Sequence, residues 1–178
     1  RLVAKIGRRA ARTFGSNSLF CRMFDPESAL RLCLCSRWSR PAAVELTRRP
    51  RQPDWRWEAV AACAFGEGLA PLLYAQLSPT GLWPEIPPAV RDGLALAREA
   101  SAIRSAALLT ALEELLERLS RAGVPVLLLK GAALAGALYG DPALRPMSDL
   151  DLLVPETNVG RALDVLIACG YTIAHAEP

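Results

Sequence analysis

Two carboxylates stand two residues apart in Ser148-Asp149-Leu150-Asp151-Leu152-Leu153-Val154. In an extended chain successive side chains alternate faces, so this spacing places Asp149 and Asp151 on one face and Leu150, Leu152 and Val154 on the other. Like charges so placed repel, and a divalent cation relieves the repulsion. Magnesium suits the task, because it takes one or two carboxylates plus substrate phosphates and keeps waters for the rest of its shell. A plainer reading is an exposed strand edge on which two charges discourage pairing with another chain. Asp-x-Asp alone does not decide between the two.

The segment upstream bears on that choice. Val126-Leu127-Leu128-Leu129-Lys130-Gly131-Ala132-Ala133 passes from an apolar strand into helical spacing with glycine at the junction. Glycine permits a tight turn and close approach of backbone amides to an anion, and the start of a helix offers unpaired N–H groups. Lys130 could meet a phosphate as a point charge, or could simply be a solvated strand end. The segment is neither a Walker A loop, since the glycine spacing and the terminal Lys-Ser/Thr are missing, nor a dinucleotide fingerprint. Arg145, four residues before Asp149, could grip phosphate in a fork or neutralise the aspartates. Ser148 could meet a phosphate or hydrogen-bond to nearby backbone. Tyr139 could stack on a base or hold its loop against the core.

These residues need elements to position them. Asp25, Pro26 and Glu27 supply a cap, a first-turn proline and an acidic first turn for a helix over residues 26 to 38. Pro41, Pro50 and Pro53 then punctuate an arginine-rich irregular connection. Asp54 is expected to cap a helix over 55 to 66, and a short helix is expected near Pro71. A proline-rich loop follows, and residues 88 to 120 read as helix, with a bend near Gly93 or a break near Ser101. Leu108, Leu112, Leu115, Leu116 and Leu119 form its apolar stripe, opposite Glu113, Glu114, Glu117 and Arg118. The period changes after Gly123, so 124 to 129 reads as a buried strand, 131 to 139 as helix and 149 to 154 as a second strand. A helix over 159 to 169, closed by Gly170, and the start of a strand at 171 to 174 complete the pattern. The class is α/β or α+β, a helical N-terminal part followed by a small mixed sheet. The expected organisation is a basic arm and helix at 1–53, a helical region at 54–122 and a partial core at 123–178.

Composition narrows the field. The 178 residues are 52% hydrophobic but only 6% aromatic, so helix against helix or sheet should fill the core, and an all-strand fold is not expected. Residues 1 to 56 carry 13 Lys/Arg against 4 Asp/Glu, a balance of +9, whereas the remainder is acidic. Such an arm could touch nucleic acid or an anionic membrane, or be a solvated face, and no aromatics interleave its arginines as stacking platforms. Five cysteines without a CxxC pair, and a single histidine, His175, argue against zinc. Cys33 and Cys35 read as small buried hydrophobes. An odd cysteine count without a secretory signal fits a reducing, cytoplasmic setting. No stretch reaches the roughly eighteen continuous apolar residues that a membrane span needs. The first residue is Arg, as expected of a segment that does not begin at the natural start.

The string LLLKGAALAGALYGDPALRPMSDLDLLVP, residues 127 to 155, strongly resembles the uncharacterised nucleotidyltransferase family, a branch of the polymerase-beta-like superfamily. Gly131 matches that superfamily's turn glycine, Ala132 stands where serine or glycine is usual, and Ser148-Asp149-Leu150-Asp151 matches its carboxylate element. Lys-Gly at the turn and Arg-Pro before the aspartates are characteristic of the branch. A looser likeness extends over residues 54 to 173. The resemblance implies that Asp149 and Asp151 are catalytic and hold Mg²⁺ or Mn²⁺, and that Lys130, Gly131, Ala132, Arg145 and Ser148 bind a nucleoside triphosphate such as ATP. It implies transfer of a nucleotidyl group to a hydroxyl of a small molecule, protein or nucleic acid, with release of pyrophosphate. The superfamily uses a third acidic residue on a later strand, which neither Glu156 nor Asp164 matches by position, so a partial core is expected and catalysis by this segment stays open. The alternatives are a non-catalytic interaction module of the same fold, and a nucleic-acid-binding protein acting through the basic arm.

Overall fold

A computed structural model of the chain describes residues 24–36 and 39–173. They form two compact units. One runs to Ile103 and takes in Asp141–Pro146; the other comprises Arg104–Gly140 and the chain from Met147 onward.

The first unit is helical. Helix α1 (Pro26–Cys35) begins where Asp25 accepts hydrogen bonds from the backbone N–H groups of Glu27 and Ser28, the expected cap. It ends at Cys35 rather than Trp38, which lies outside the described residues. The expected irregular connection is instead helix α2 (Arg40–Arg48), capped by Ser39. Pro41 falls in its first turn, where a missing N–H costs nothing, so this proline starts a helix rather than punctuating a loop. Helices α3 (Trp57–Gly66) and α4 (Ala70–Leu77) follow, then a 3₁₀ turn at Trp83–Glu85. Asp54 does not cap α3. Both of its oxygens accept from the Arg49 guanidinium, at 2.8 and 3.0 Å. The core gathers Leu30, Cys33, Val60, Leu73, Leu77, Ile86 and Leu94, and Trp55 packs edge-on against both Phe24 and Trp57. Cys33 is fully buried, and burial pushes its thiol up to about 12. Cys35 is exposed, contrary to expectation, because two residues along a helix point some 200° apart.

Arginines of the basic segment are used internally. Besides Arg49, Arg51 pairs with Glu85 at 2.6 Å, and Arg56 donates to the carbonyls of Pro53 and Trp55. The segment's first 23 residues lie outside the described part.

Helix α5 (Pro88–Arg121) is assigned without interruption, so the break near Ser101 does not occur. Ser101 and Ser105 are buried and sit in register with Leu112, Leu115 and Leu119, so the buried stripe continues through them. Leu108 and Leu116 flank the stripe half-buried, and Glu113, Glu114, Glu117 and Arg118 are exposed, as the pattern predicts. Gly123 ends the helix with φ +69, donating to the Ser120 carbonyl while Val124 donates to that of Leu119. That left-handed turn is why glycine is needed there.

The second unit holds a two-stranded antiparallel sheet, so the described residues are α+β and their sheet is antiparallel rather than mixed. Strand β1 (Leu127–Leu129) pairs with β2 (Asp151–Leu153) in the register Leu127 with Leu153, Leu128 with Leu152 and Leu129 with Asp151. Between them lie α6 (Lys130–Leu134), a π turn at Ala135–Tyr139 and the left-handed Gly140. Helix α7 (Val159–Ala168) follows β2, and Gly170 closes it at φ +86. Leu115 and Leu119 of α5, Val124 and Ala162 of α7 form the core, against which Val126, Leu152 and Val154 pack.

Both strands are shorter than the sequence suggests. Val124 is tied into the helix stop and Pro125 has no N–H, so β1 starts late. Beyond Leu129 the chain turns into α6, which leaves Leu150 and Asp149 without partners on β1. Nor is β1 fully buried, since Leu127 is 59% exposed. Tyr171 to Ile173 are not strand, and Ala174 lies outside the described residues.

Two outcomes follow from this packing. The hydrogen bonds from Arg49 and Arg51 hold the carboxyls of Asp54 and Glu85 below their ordinary range. Their contribution to stability is therefore complete at neutral pH and is lost as the pH falls from about 5 through the folded values. Acid unfolding followed by circular dichroism should show a shallower low-pH decline in the Arg49→Ala/Arg51→Ala double variant than in the wild type. In the other unit, Leu119→Ala empties a fully packed position and should cost about 3 kcal/mol in urea unfolding.

Candidate functional site

Leu129, at φ −118 and ψ 164, is the last extended residue of β1, and the next residue reverses the chain. That residue is Lys130, with φ +46, the only non-glycine residue with positive φ among those described. The sequence places the tight turn on Gly131; the structure puts the left-handed conformation one residue earlier. An L side chain pays roughly 1 kcal/mol for that backbone, so surrounding contacts must hold it. One is visible. Lys130 Nζ lies 3.0 Å from Asp151 Oδ2. The ladder explains the meeting, because Asp151 stands opposite Leu129 and Lys130 is the next residue along.

The pair is lopsided. Asp151 is 4% exposed and Lys130 58%. The carboxylate bears the desolvation cost, while the ammonium keeps most of its water. Asp151 Oδ1 is also buried and has no hydrogen-bond partner. An ionised carboxylate can accept about four hydrogen bonds, so Asp151 is under-coordinated by protein alone.

The even-numbered neighbours show how the strand is oriented. Leu150, Leu152 and Val154 all line a small apolar cavity of about 70 Å³ against Leu115 and Leu119 of α5 and Leu166 of α7. Asp151 thus belongs to the face of β2 turned away from those helices. Asp149 is half-buried, two residues before Asp151 and just outside the ladder. Ser148, next to it, is exposed, and Met147 is buried and anchors the segment.

Across from β2, α6 contacts both strands, which brings the Lys130-Gly131 corner to the start of β2. Gly131 is buried and Ala132 half-buried. At five residues α6 is short, so the Lys130 charge outweighs any helix dipole there. Arg145 is half-buried and belongs to the helical unit, as does Asp141, which caps the turn Pro142–Leu144 and pairs with Arg98 of α5 at 2.9 Å. Tyr139 is half-buried at the end of the π turn.

Sequence reasoning gave Lys130 two roles and missed a third, as counter-ion of Asp151. Only the strand register reveals it, and nothing in the residue pattern fixes that register. A hard dication suits the donor set, since a buried carboxylate with a free oxygen and a second carboxylate two residues away supply oxygen ligands only. Among the described residues no group of three or more His, Cys, Asp or Glu side chains clusters, and Glu156 and Asp164 are both exposed.

Removing the Lys130 amine leaves Asp151 without its partner while keeping a non-glycine residue at positive φ. Lys130→Ala should therefore cost about 1 to 3 kcal/mol in urea unfolding. The cost should shrink in an Asp151→Asn background, and additive losses would dissociate the pair from stability.

No curated protein and no solved structure gave a match. A family model described as uncharacterised nucleotidyltransferase matches residues 53–178, a span that includes all of β1, the Lys130-Gly131 corner and β2. With most of its length matched, the chain belongs to the uncharacterised nucleotidyltransferase family.

Proposed function

We propose that the chain carries the nucleotide and metal site of a Mg²⁺-dependent nucleotidyltransferase, built on Asp149, Asp151 and the Lys130-Gly131 corner. Membership of the family supports nucleotidyl transfer in general terms. The observation that carries the finer reading is Asp151 itself, buried, held through one oxygen by Lys130 and left with the other unpaired.

Asp149 and Asp151 are the residues that would hold Mg²⁺, or Mn²⁺ in its place. Bound there, a dication supplies positive charge that offsets charge on phosphate oxygens. The chain's own groups do the rest. Lys130 presents an exposed ammonium to the outer phosphates of a nucleoside triphosphate, ATP among the candidates. Gly131 and Ala132 offer backbone N–H groups at the corner, and Ser148 an exposed hydroxyl beside Asp149. A hydroxyl of the acceptor attacks the α-phosphorus, a new O–P bond forms, and the bond to the pyrophosphate oxygen breaks as the hydroxyl proton passes to water. Positioning of the two substrates supplies much of such a rate. The reading needs no contribution from Arg145. The acceptor is a hydroxyl of a small molecule, protein or nucleic acid.

Two features weigh against a purely protective strand edge. Asp151 is buried rather than solvated, and its partner comes from the adjoining corner rather than from solvent. Among the described residues no helix is long and apolar enough to cross a membrane.

Binding of a fluorescent ATP analogue, measured with Mg²⁺ and with EDTA, tests the proposal. Wild type should bind at least about tenfold more tightly with Mg²⁺, and Asp149→Asn/Asp151→Asn should lose that difference. Equal, metal-independent binding by both proteins would falsify the assignment.

A further inference from the structure

Lys130 and a dication compete for the same carboxylate. The ammonium already rests 3.0 Å from Asp151 Oδ2, and Asp151 is too deeply buried to hold a second cation out in solvent. We propose that Lys130 is an exchangeable counter-ion: it occupies Asp151 in the empty site and leaves for the nucleotide phosphates when metal and nucleotide arrive, which makes the two ligands bind as a coupled pair. The inference rests on the reading that Asp149 and Asp151 hold a dication, and it adds an order and a device that this reading does not require.

The charges decide the direction of the exchange. Without ligands, two carboxylates and one ammonium leave the local sum at −1, with Asp151 compensated. A dication alone would bring the sum to +1 and set two cations against one buried carboxylate, a repulsion that water screens poorly there. A triphosphate brings several negative charges, so the ammonium then has a better partner than Asp151, and the carboxylate is freed for the metal.

The mechanical requirements are met by residues already in place. The Lys130 side chain is mostly exposed, with a flexible four-carbon stem, so side-chain rotation alone moves its charge. The backbone beneath it stays put, because Gly131 is buried and α6 contacts both strands. Asp151 is fixed in β2 and cannot follow the amine outward. The free Oδ1 gives an incoming cation one oxygen before the exchange and two after it.

The test uses Mn²⁺ as the probe, titrated into the full chain and read by electron paramagnetic resonance of the free ion, with and without a non-hydrolysable ATP analogue. In wild type, the analogue should tighten Mn²⁺ binding by about tenfold or more beyond the Mn²⁺ that the analogue takes up without protein. Lys130→Ala should bind Mn²⁺ alone about tenfold more tightly than wild type does, and the analogue should add little further. Lys130→Arg, which keeps the charge, should behave like wild type. Thermal melts supply a second readout, since Mn²⁺ should raise the melting temperature of Lys130→Ala more than that of wild type. Lys130→Met, which retains the apolar stem, replaces Lys130→Ala in every comparison if the alanine variant does not fold.

Mn²⁺ affinity that is unchanged or weaker without the amine overturns the exchange. The two-carboxylate reading survives that result if Asp149→Asn still abolishes Mn²⁺ binding. Absence of Mn²⁺ binding from every variant, with and without the analogue, overturns both.

Discussion

Burial of one carboxylate organises the second unit of this protein. Asp151 gives up water at the start of β2, and the structure returns one ion pair for it, from a lysine at the end of the neighbouring strand. An unpaired charge in that position would cost about 1 to 3 kcal/mol, so Asp151 favours the register in which β1 brings Lys130 to it. A slip of one residue would turn Asp151 toward Leu115 and Leu119 and move Leu152 away from them. The apolar alternation of β2 and the Lys130 charge therefore enforce the same pairing. Helices α5 and α7 supply the surface against which that alternation is read.

Lys130 also concentrates the backbone's departure from regular structure. Its positive φ ends the ladder, begins α6 and brings the amine over the sheet. Glycine would have made that turn at lower cost, but it has no charge to offer Asp151. Strain retained beside a buried acid fits a place where the protein has kept a chemical group in preference to an easier turn.

Much of this was legible from the residues, and the failures have physical causes. The leucine stripe of α5, the glycine stop at 123 and the cap at Asp25 are local signals, and all appear where the pattern puts them. Pro41 was misread because the same residue that breaks a helix interior is welcome in a first turn, and only Ser39 as cap distinguishes the cases. Asp54 was misread because its carboxylate has two suitors, the first turn of α3 and Arg49, and the bidentate guanidinium won. The ends of the strands depend on which residues face each other across the sheet, information that a single segment does not contain. The same is true of the candidate site. Composition and spacing single out Asp149, Asp151, Lys130 and Gly131, yet the bond between Lys130 and Asp151 is a property of register.

The sheet itself is slight, three residues in each strand, with one side of each strand unpaired among the described residues. A ribbon of that size is marginal in water without support. Its backbone hydrogen bonds consequently depend on the packing of α5 and α7 against β2, so protection of the ladder amides against deuterium reports how firmly the helices grip β2. The acid at the head of β2 inherits that grip, and substitutions far from any ligand, on the buried faces of those two helices, would alter how long it is held in place.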